Sequence, residues 1–460
     1  MMRFSRPIFR SRHHRFHPRH IDSGVIAISP PVLLLLGFGA LSLFGTGLLW
    51  WPLAAHEPLS LWQALFTATS AITVTGLSVI PTSELTLWGQ VVVLGLIQLG
   101  GIGFMTFAAL TLSLLGIRLP LYQRNLVKES LNHTSFAELK QLVQLVVRVS
   151  LVAELTGAAF LALVWVPEYG WGQGLWASFF HAVSAFNNAG FSLWPDSLMR
   201  SVDQGLVNAV IIVLFVMGGL GFTVIGELME WRPGKSLSLN TRIVLRATLW
   251  LALLGFVAML LLEWQNPRTL GSLPSISARL QAALFQSLTP RTAGFNTLDT
   301  GQLSDPMSLV TMFLMFIGGG SGSTASGIKL TTFVVLLMVA RAFLRGQAQP
   351  HLMGRALAQD TVMKAVSVAL AGIALIFTCL FVLTITEPGK HFLDLAFETV
   401  SAFATVGLSR GITGDLSHGG QLVLVVTMLL GRVGPLSIGY FLAARREQAI
   451  RYPRGSVPIG

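Results

Sequence analysis

Thr405, Val406 and Gly407 form a short triplet between two apolar segments, and these residue types suit the binding of a cation. Glycine adopts left-handed backbone angles that residues with side chains avoid, so it allows unusual arrangements of the peptide carbonyls. Closely spaced carbonyl oxygens can replace the hydration shell of an ion that enters an apolar slab. Ion-selectivity filters built from carbonyl oxygens are rings of several loops. One triplet therefore indicates a filter only if the chain supplies the other loops of the ring.

Three other stretches match this one when all are aligned on one glycine. In chain order the four segments read "FTATSAITVTGLS" (66–78), "FHAVSAFNNAGFS" (180–192), "LFQSLTPRTAGFN" (284–296) and "FETVSAFATVGLS" (397–409). The shared glycines are Gly76, Gly190, Gly294 and Gly407. The third copy diverges most, because Leu288 stands where the others have serine. Self-similarity of this kind predicts four equivalent structural units.

The four loops predict a selectivity filter for a dehydrated cation. The predicted filter residues are Thr73, Val74, Thr75, Gly76, Asn187, Asn188, Ala189, Gly190, Arg291, Thr292, Ala293, Gly294, Ala404, Thr405, Val406 and Gly407. The alternative is that the glycines are packing contacts between ordinary spanning helices. A short amphipathic segment before each loop and the polar neighbours of the glycines favour pore loops.

A second landmark follows each loop in the same register. It reads "QLGGIGF" from Gln98, "VMGGLGF" from Val216, "FIGGGSG" from Phe316 and "LLGRVGP" from Leu429. Its first glycine lies 24, 28, 24 and 24 residues after the loop glycine. Two landmarks in register four times strengthen the interpretation of the chain as a fourfold repeat.

The composition indicates that these loops lie in a membrane protein. The 460 residues are 53% hydrophobic and 11% charged, and the mean hydropathy is +0.68. Residues 23–55 and 85–117 contain no Asp, Glu, Lys or Arg, and each run exceeds the roughly 20 residues of a spanning helix. Long apolar runs predict helices, since a transmembrane barrel would show short alternating segments.

Each repeat is therefore predicted to contain an outer helix, a short re-entrant pore helix, the loop and an inner helix. The predicted fold is an all-α membrane protein in which four such M1-P-M2 repeats surround a central pore with pseudo-fourfold symmetry, as in potassium channels. The predicted repeats are 31–117, 141–230, 241–345 and 361–445, flanked by a basic N-terminal tail (1–30) and a C-terminal tail (446–460). The expected outer helices are 31–52, 141–166, 243–264 and 361–386, and the inner ones 85–116, 204–230, 305–343 and 418–444.

The charge distribution predicts the topology. The net charge of +11 comes from basic patches in the tails and between repeats, whereas the segments within repeats are rich in Asp and Glu. By the positive-inside rule both termini are cytoplasmic, and basic residues near the headgroups contact membrane lipid. This arrangement explains the charge better than nucleic-acid binding does, and an acidic outer mouth suits a cation.

Residues 317–328, "IGGGSGSTASGI", are predicted to interrupt the third inner helix. Their five glycines and their small hydroxyl residues oppose a stable helix. No Gly-Lys-Ser/Thr follows, which excludes a phosphate-binding loop of the P-loop type. A pore-lining segment and a simple packing bend remain open.

Four segments carry a resemblance to a known family. "SAFNNAGF" (184–191), "TPRTAGFNT" (289–297), "GGGSGSTASGIK" (318–329) and "GRVGPLSI" (431–438) resemble the Trk/Ktr/HKT superfamily of potassium transporters, and most of all its KtrB-type bacterial subunit. The resemblance covers roughly residues 30–445. It implies potassium uptake, typically aided by sodium, across a bacterial inner membrane. In this superfamily a serine at the first filter glycine tends to accompany sodium selectivity, so Gly76 favours potassium.

The resemblance also implies partners and ion-binding residues. It implies a homodimer on a cytosolic KtrA/TrkA-like ring of nucleotide-binding regulatory subunits. Nucleotides are then expected only on that ring, and no covalent cofactor is expected. Potassium, or secondarily sodium, is expected to bind in the filter. The residues expected to contact potassium are Thr73, Val74, Asn187, Asn188, Arg291, Thr292, Ala404 and Thr405.

For residues 317–328 the resemblance implies an intramembrane gating loop that the regulatory subunits move. The predicted gate consists of Gly318, Gly319, Gly320, Ser321, Gly322, Ser323, Thr324, Ala325, Ser326, Gly327, Lys329 and Arg432. Lys329 could extend to the cytoplasmic interface or donate to a nearby carbonyl.

Arg432 replaces the second glycine of the landmark, present as Gly101, Gly219 and Gly319 in the other repeats. About 15 residues of helix descend about 22 Å, which brings Arg432 near the membrane midplane. A charge there normally faces a cavity or a partner. The resemblance implies an electrostatic barrier in the ion path, and the alternative is an ion pair with Glu154 or Glu398.

Arg291 and Glu154 are two further charged residues within the apolar part of the chain, and enzymes and other transporters are two further function classes. Arg291 could pair with Glu398 across repeats, and Glu154 is either functional or part of a helix-packing hydrogen bond. An enzyme is disfavoured, because the apolar segments lack metalloprotease and nucleophile-elbow motifs. A secondary transporter would more often show inverted repeats. The main alternative is a cation transporter with sodium or mixed sodium and potassium selectivity.

Overall fold

The computed structural model describes residues 30–114, 136–347 and 349–434. These residues form a helical bundle whose α-helices are α1 (Pro30–Trp50), α2 (Leu61–Ile72), α3 (Leu87–Leu114), α4 (Phe136–Phe186), α5 (Gly205–Leu220), α6 (Phe222–Met229), α7 (Leu239–Glu263), α8 (Ile276–Leu288), α9 (Asp305–Phe316), α10 (Leu330–Leu344), α11 (Gln359–Thr386), α12 (Phe392–Ala404) and α13 (His418–Val433). Strands β1 (His351–Leu352) and β2 (Arg355–Ala356) pair as an antiparallel hairpin. The predicted tails, apart from residue 30, the end of the first repeat (115–117) and the end of the fourth repeat (435–445) lie outside the described residues.

Three short helices, α2, α8 and α12, end next to the predicted filter loops. Ser60 begins α2 with a capping box, in which its hydroxyl accepts from the Gln63 amide and the Gln63 side chain accepts from the Ser60 amide. Ser275 caps α8 in a similar way by accepting from the Ala278 amide. In the second repeat the outer and short helices are joined as α4, which kinks at Gly170 (φ +82°) just after Pro167.

The outer faces of the long helices are apolar and exposed. On α7, for example, Leu249 and Trp250 are each 69% exposed and Leu261 is 77% exposed. Side chains of this kind would be costly in water, because their apolar surface stays in contact with solvent. The exposed apolar faces and the helical architecture identify an all-α membrane protein.

Helix lengths account for part of the predicted topology. Within the described residues three helices are long and apolar enough to cross a membrane alone, and the bent pair α5 and α6 could be a fourth crossing. The three are Val143–Phe186, Leu239–Glu263 and Gln359–Thr386. In the other apolar helices the stretches with described side chains are 10–17 residues long, although α1 and α3 as a whole have 21 and 28 residues, so eight crossings remain a prediction.

The prediction of one continuous inner helix over 204–230 is wrong. The chain bends by 103° between α5 and α6 at Gly221, whose φ is +100°. A segment from the third repeat packs against this break, and the Phe222 amide donates to the Gly322 carbonyl at 3.0 Å. The backbone groups freed by the break are thus satisfied by another repeat, which makes the break tolerable in an apolar environment.

The predicted interruption of the third inner helix is present. Helix α9 ends at Phe316 and α10 begins at Leu330. The intervening segment, residues 317–329, is fixed at its base by the Gly318 amide, which donates to the Ile328 carbonyl at 2.9 Å. It is also joined to the second repeat, because the Gly320 amide donates to the Gly219 carbonyl at 2.8 Å. We call residues 317–329 the crossing loop.

Candidate ion filter and gate

The four predicted filter loops contact one another in a closed cycle that follows chain order. A Cβ atom added to Gly76 would overlap the Ala189 carbonyl of the next loop, and one on Gly190 would lie 2.7 Å from the Gly294 Cα. A Cβ on Gly294 would meet the Val406 carbonyl, and one on Gly407 would meet the Thr75 carbonyl. Glycine is therefore required for close approach at all four positions.

The loops also share one backbone conformation. The shared glycines have φ values of +92°, +68°, +76° and +91° in chain order. The residue two positions earlier is left-handed in every loop although it has a side chain: Val74 (+57°), Asn188 (+60°), Thr292 (+69°) and Thr405 (+47°). A β-branched residue rarely adopts this conformation, and such strain is kept where the surroundings enforce it, often at functional sites.

A hydroxyl from the end of each short helix holds its loop. Ser70 and Ser401 each accept from the amide of the loop glycine at 3.1 Å, and Ser184 donates to the Phe191 carbonyl at 2.8 Å. In the third repeat the hydroxyl that holds the loop is that of Thr289, which donates to the Phe295 carbonyl at 2.5 Å. Sequence alignment missed Thr289 because it lies one residue later than the serines, beside the apparently divergent Leu288.

The carbonyl groups of the predicted filter take no part in the hydrogen bonds of the described residues. Those of residues 73–76, 187–190, 291–294 and 404–407 accept no hydrogen bond from any residue that the structure describes. Buried carbonyls in proteins are normally paired with protein, water or a ligand. A ring of such dipoles is chemically suited to a dehydrated monovalent cation.

The second landmark has a packing role that the sequence did not reveal. A Cβ on Gly100, Gly218 or Gly431 would overlap the carbonyl of Ile72, Phe186 or Phe403, each four residues before a filter glycine. These glycines let the inner helices approach the ends of the short helices. In the third repeat the corresponding Gly318 instead faces the Ser326 carbonyl, because the crossing loop is present there.

The crossing loop contacts the filter directly. The Thr324 hydroxyl donates to the Asn188 side-chain oxygen at 2.9 Å. Arg291 donates from a guanidinium nitrogen to the Gly318 carbonyl at 3.2 Å. The predicted gate and the predicted filter are thus joined by hydrogen bonds through two different filter loops.

Arg432 joins the crossing loop to the first repeat. Its guanidinium donates to the Thr324 carbonyl, to the Ser326 hydroxyl at 3.2 Å and to the Gly100 carbonyl at 2.7 Å. The side chain is 6% exposed, and its Nε has no hydrogen-bond partner among the described residues. The alternative of an ion pair with Glu154 or Glu398 is wrong, because both carboxylates bind other groups.

The other charged residues also have definite partners. Lys329 donates to the Ala325 carbonyl at 2.7 Å, which decides between its two predicted environments. Glu398 accepts from the Ser409 and Thr413 hydroxyls and from the Arg410 amide. It does not pair with Arg291, whose described partner is the Gly318 carbonyl. Arg410, which sequence reasoning missed, binds Asp394 at 2.6 Å and Ser308 at 2.6 Å.

The helical membrane fold and the cycle of glycine loops fit the class of membrane proteins that transport cations. A family model described as TrkH, a cation transport protein, matches residues 35–450. The chain belongs to this family, which is a transport family and not a family of enzymes.

Relatives of known name support the assignment over nearly the whole chain. The chain is 46% identical to Ktr system potassium uptake protein B of Bacillus subtilis, over 95% of this chain and 98% of the relative. It is 44% identical to the protein of the same name from Vibrio alginolyticus, over 94% and 95%. It is 37% identical to potassium/sodium uptake protein NtpJ of Enterococcus hirae, over 94% and 98%.

A solved structure has the same fold. The crystal structure of the potassium transporter TrkH from Vibrio parahaemolyticus matches with a TM-score of 0.71, covering 95% of this chain and 87% of that one. Sequence identity to it is 22%, so this likeness concerns the fold.

Proposed function

We propose that this chain is the potassium-translocating subunit of a bacterial Ktr-type uptake system. The observation that carries the proposal is the closed cycle of four glycine loops, whose carbonyls accept no hydrogen bond from the described residues. Four helix, pore-helix, loop, helix repeats surround a central pore in this proposal, and potassium passes through the filter as cargo. The names of the Bacillus and Vibrio relatives, both potassium uptake proteins, support potassium as the substrate.

The crossing loop is the proposed gate. The crossing loop is joined to the predicted filter by the hydrogen bonds of Thr324 to Asn188 and of Arg291 to Gly318. Arg432 binds both the loop and the Gly100 carbonyl, and so links the loop to α3. A buried cation beside this loop repels a potassium ion that leaves the filter. If the crossing loop separated from Arg432, both the loop and the guanidinium charge would move away from the route of the potassium ion. One conformational change could therefore open the pore.

Assembly and location follow from the same proposal. The subunit lies in the bacterial inner membrane with both termini in the cytoplasm, as the basic connections between repeats predict. It acts as a homodimer on a cytosolic ring of nucleotide-binding subunits, which pull on the crossing loop. The words "Ktr system" in the names of the relatives support such a multi-component assembly.

The second candidate function is uptake of sodium or of both cations. It is supported by the name of the Enterococcus relative, a potassium/sodium uptake protein, and by the unequal sequences of the four loops. Identical loops would surround an ion with equivalent groups, whereas Val-Thr-Gly, Asn-Ala-Gly, Thr-Ala-Gly and Thr-Val-Gly do not.

Growth of a bacterium that lacks potassium uptake and ion flux into liposomes test the proposed function. We expect the chain, co-expressed with a Ktr regulatory subunit, to restore growth at low potassium in a bacterium that lacks potassium uptake. Purified protein in liposomes should carry potassium faster than sodium, and the regulatory subunit should change the rate. Failure to restore growth by membrane-inserted protein would refute potassium uptake, and sodium flux equal to potassium flux would favour the second candidate.

A further inference from the structure

A buried carboxylate lies directly behind the second filter loop. Glu154, in the middle of α4, is 3% exposed, and no Lys, Arg or His among the described residues forms an ion pair with it. A charged side chain in an apolar environment is costly unless its partners stabilise it. Its role therefore depends on the groups that it contacts.

Those groups are one inner-helix amide and one filter amide. The Glu154 carboxylate accepts from the Gln98 amide nitrogen at 3.0 and 3.1 Å. It also accepts from the Asn187 amide nitrogen at 3.1 Å. Gln98 closes the triangle, because its oxygen accepts from the same Asn187 nitrogen at 2.8 Å. These shared hydrogen bonds fix the orientation of both amides.

Asn187 is fixed on its other side by close packing. Its side-chain oxygen lies where a Cβ on Gly101 would be, and this oxygen accepts no hydrogen bond from a described residue. Asn187 immediately precedes Asn188, which has the left-handed backbone and contacts the crossing loop. The Asn187 side chain is therefore anchored next to the left-handed residue of this loop.

This network belongs to the boundary between the first and second repeats. At the position of Gln98 the other repeats have Val216, Phe316 and Leu429, and at the position of Asn187 they have Thr73, Arg291 and Ala404. The polar triangle cannot be built from those residues. The second loop thus has a support that the fourfold repeat did not predict.

We propose that Glu154 is a positioning residue of the filter, which acts with Gln98 through Asn187 to set the selectivity between potassium and sodium. The inference rests on the proposed function. Selectivity for the larger ion requires a loop that does not contract around the smaller one, and a fixed Asn187 side chain opposes such contraction.

The experiment compares potassium and sodium flux in liposomes of the full chain with its regulatory subunit. Glu154→Ala should lower the ratio of potassium to sodium flux by about tenfold, as expected when two buried donors lose the acceptor that they share. The exchange variant Gln98→Glu with Glu154→Gln keeps one carboxylate and one amide in the triangle. It should restore a ratio within about twofold of wild type, since Asn187 regains both acceptors.

The matched control is Glu387→Gln, which alters another buried carboxylate, at the C-terminal end of α11. Glu387 contacts Ser417 at the start of α13 and not a filter loop, so the change should leave the flux ratio unchanged even where it lowers stability. An unchanged ratio in folded Glu154→Ala overturns the proposal, and so does an exchange variant that folds but is as unselective as Glu154→Ala. If Glu154→Ala fails to fold, Gln98→Leu replaces it and should lower the ratio. Absence of potassium flux in the wild type would instead refute the proposed function, whereas an unchanged ratio in Glu154→Ala beside a selective wild type refutes this inference alone.

Discussion

At the scale of the single residue, Arg432 combines two properties that are usually separate. It is a buried cation, and all of its described partners are uncharged oxygens of the crossing loop and of α3. Neutral carbonyls satisfy the N–H groups but leave the net charge in place. The residue can therefore hold the loop and repel a cation at the same time.

Replacing Arg432 by glutamine is expected to raise potassium flux. At an effective dielectric constant of about 20, unit charges about 8 Å apart repel by roughly 2 kcal/mol, so loss of the charge should increase flux by roughly thirtyfold. Stopped-flow flux into liposomes measures the rate. Arg268→Gln, which removes an exposed arginine of a loop after α7, is the control and should behave as wild type. A folded Arg432→Gln protein with unchanged or lower flux would contradict the barrier.

At the scale of the element, buried carboxylates join the outer helices to the inner ones. Glu263, the last residue of α7, is fully buried and accepts from the Ser304 amide at 2.9 Å and its hydroxyl at 2.5 Å. Ser304 is the N-cap of α9. In the next repeat Glu387 makes the same contacts with Ser417, the N-cap of α13. Each contact fixes the start of an inner helix.

Replacing Glu263 by alanine is expected to destabilise the protein. The change leaves Ser304, Asn266 and Thr269 without the acceptor that they share, which should cost about 2–4 kcal/mol of the free energy of unfolding. Thermal unfolding in detergent, followed by size-exclusion chromatography, measures the loss. Glu57→Ala serves as the comparison, because Glu57 is exposed and should change stability little. Equal midpoints for the two variants would refute this role.

At the scale of the whole molecule, the filter cycle closes between the first and last repeats. Gly407 lies against the Thr75 carbonyl, although the two residues are more than 300 positions apart in sequence. Each loop therefore packs against the backbone of the next one, and the cycle is complete only when all four loops are in place. Chain entropy makes this long-range closure the costly contact of the ring.

Replacing Gly407 by alanine tests that closure. The new methyl group would overlap the Thr75 carbonyl and would lie 3.0 Å from the Gly76 Cα, and a left-handed alanine costs about 1–2 kcal/mol in addition. We expect a clear loss of the preference for potassium over sodium, measured as competing fluxes in liposomes. Gly47→Ala is the matched control, since a Cβ there meets no atom within 4 Å. Full selectivity in a folded Gly407→Ala protein would show that the loops do not close as described.

The sequence predicted much of this molecule because much of it is local. Apolar runs predicted an all-α membrane protein, and the repeated glycine at position 76, 190, 294 or 407 marked the left-handed loops. The glycines of residues 317–328 predicted the interruption between α9 and α10, because glycine opposes a helix whatever surrounds it. The motifs also predicted membership of the cation transport family, which the family match confirmed. The roles of the filter, gate and Arg432 remain proposals.

The tertiary structure alone decided which groups meet. Nothing in the sequence indicated that α5 ends at Gly221, since the break depends on a carbonyl that Gly322 supplies from another repeat. Likewise, the sequence did not indicate that Glu154 accepts hydrogen bonds from Asn187 and Gln98, or that Arg432 donates to neutral oxygens and not to a carboxylate. Backbone conformation is set mainly by neighbouring residues, whereas the partner of a buried charge is set by the packing of helices that are distant in sequence. For that reason the sequence by itself determined the loops and their repetition, and only the assembled bundle determined what holds them in place.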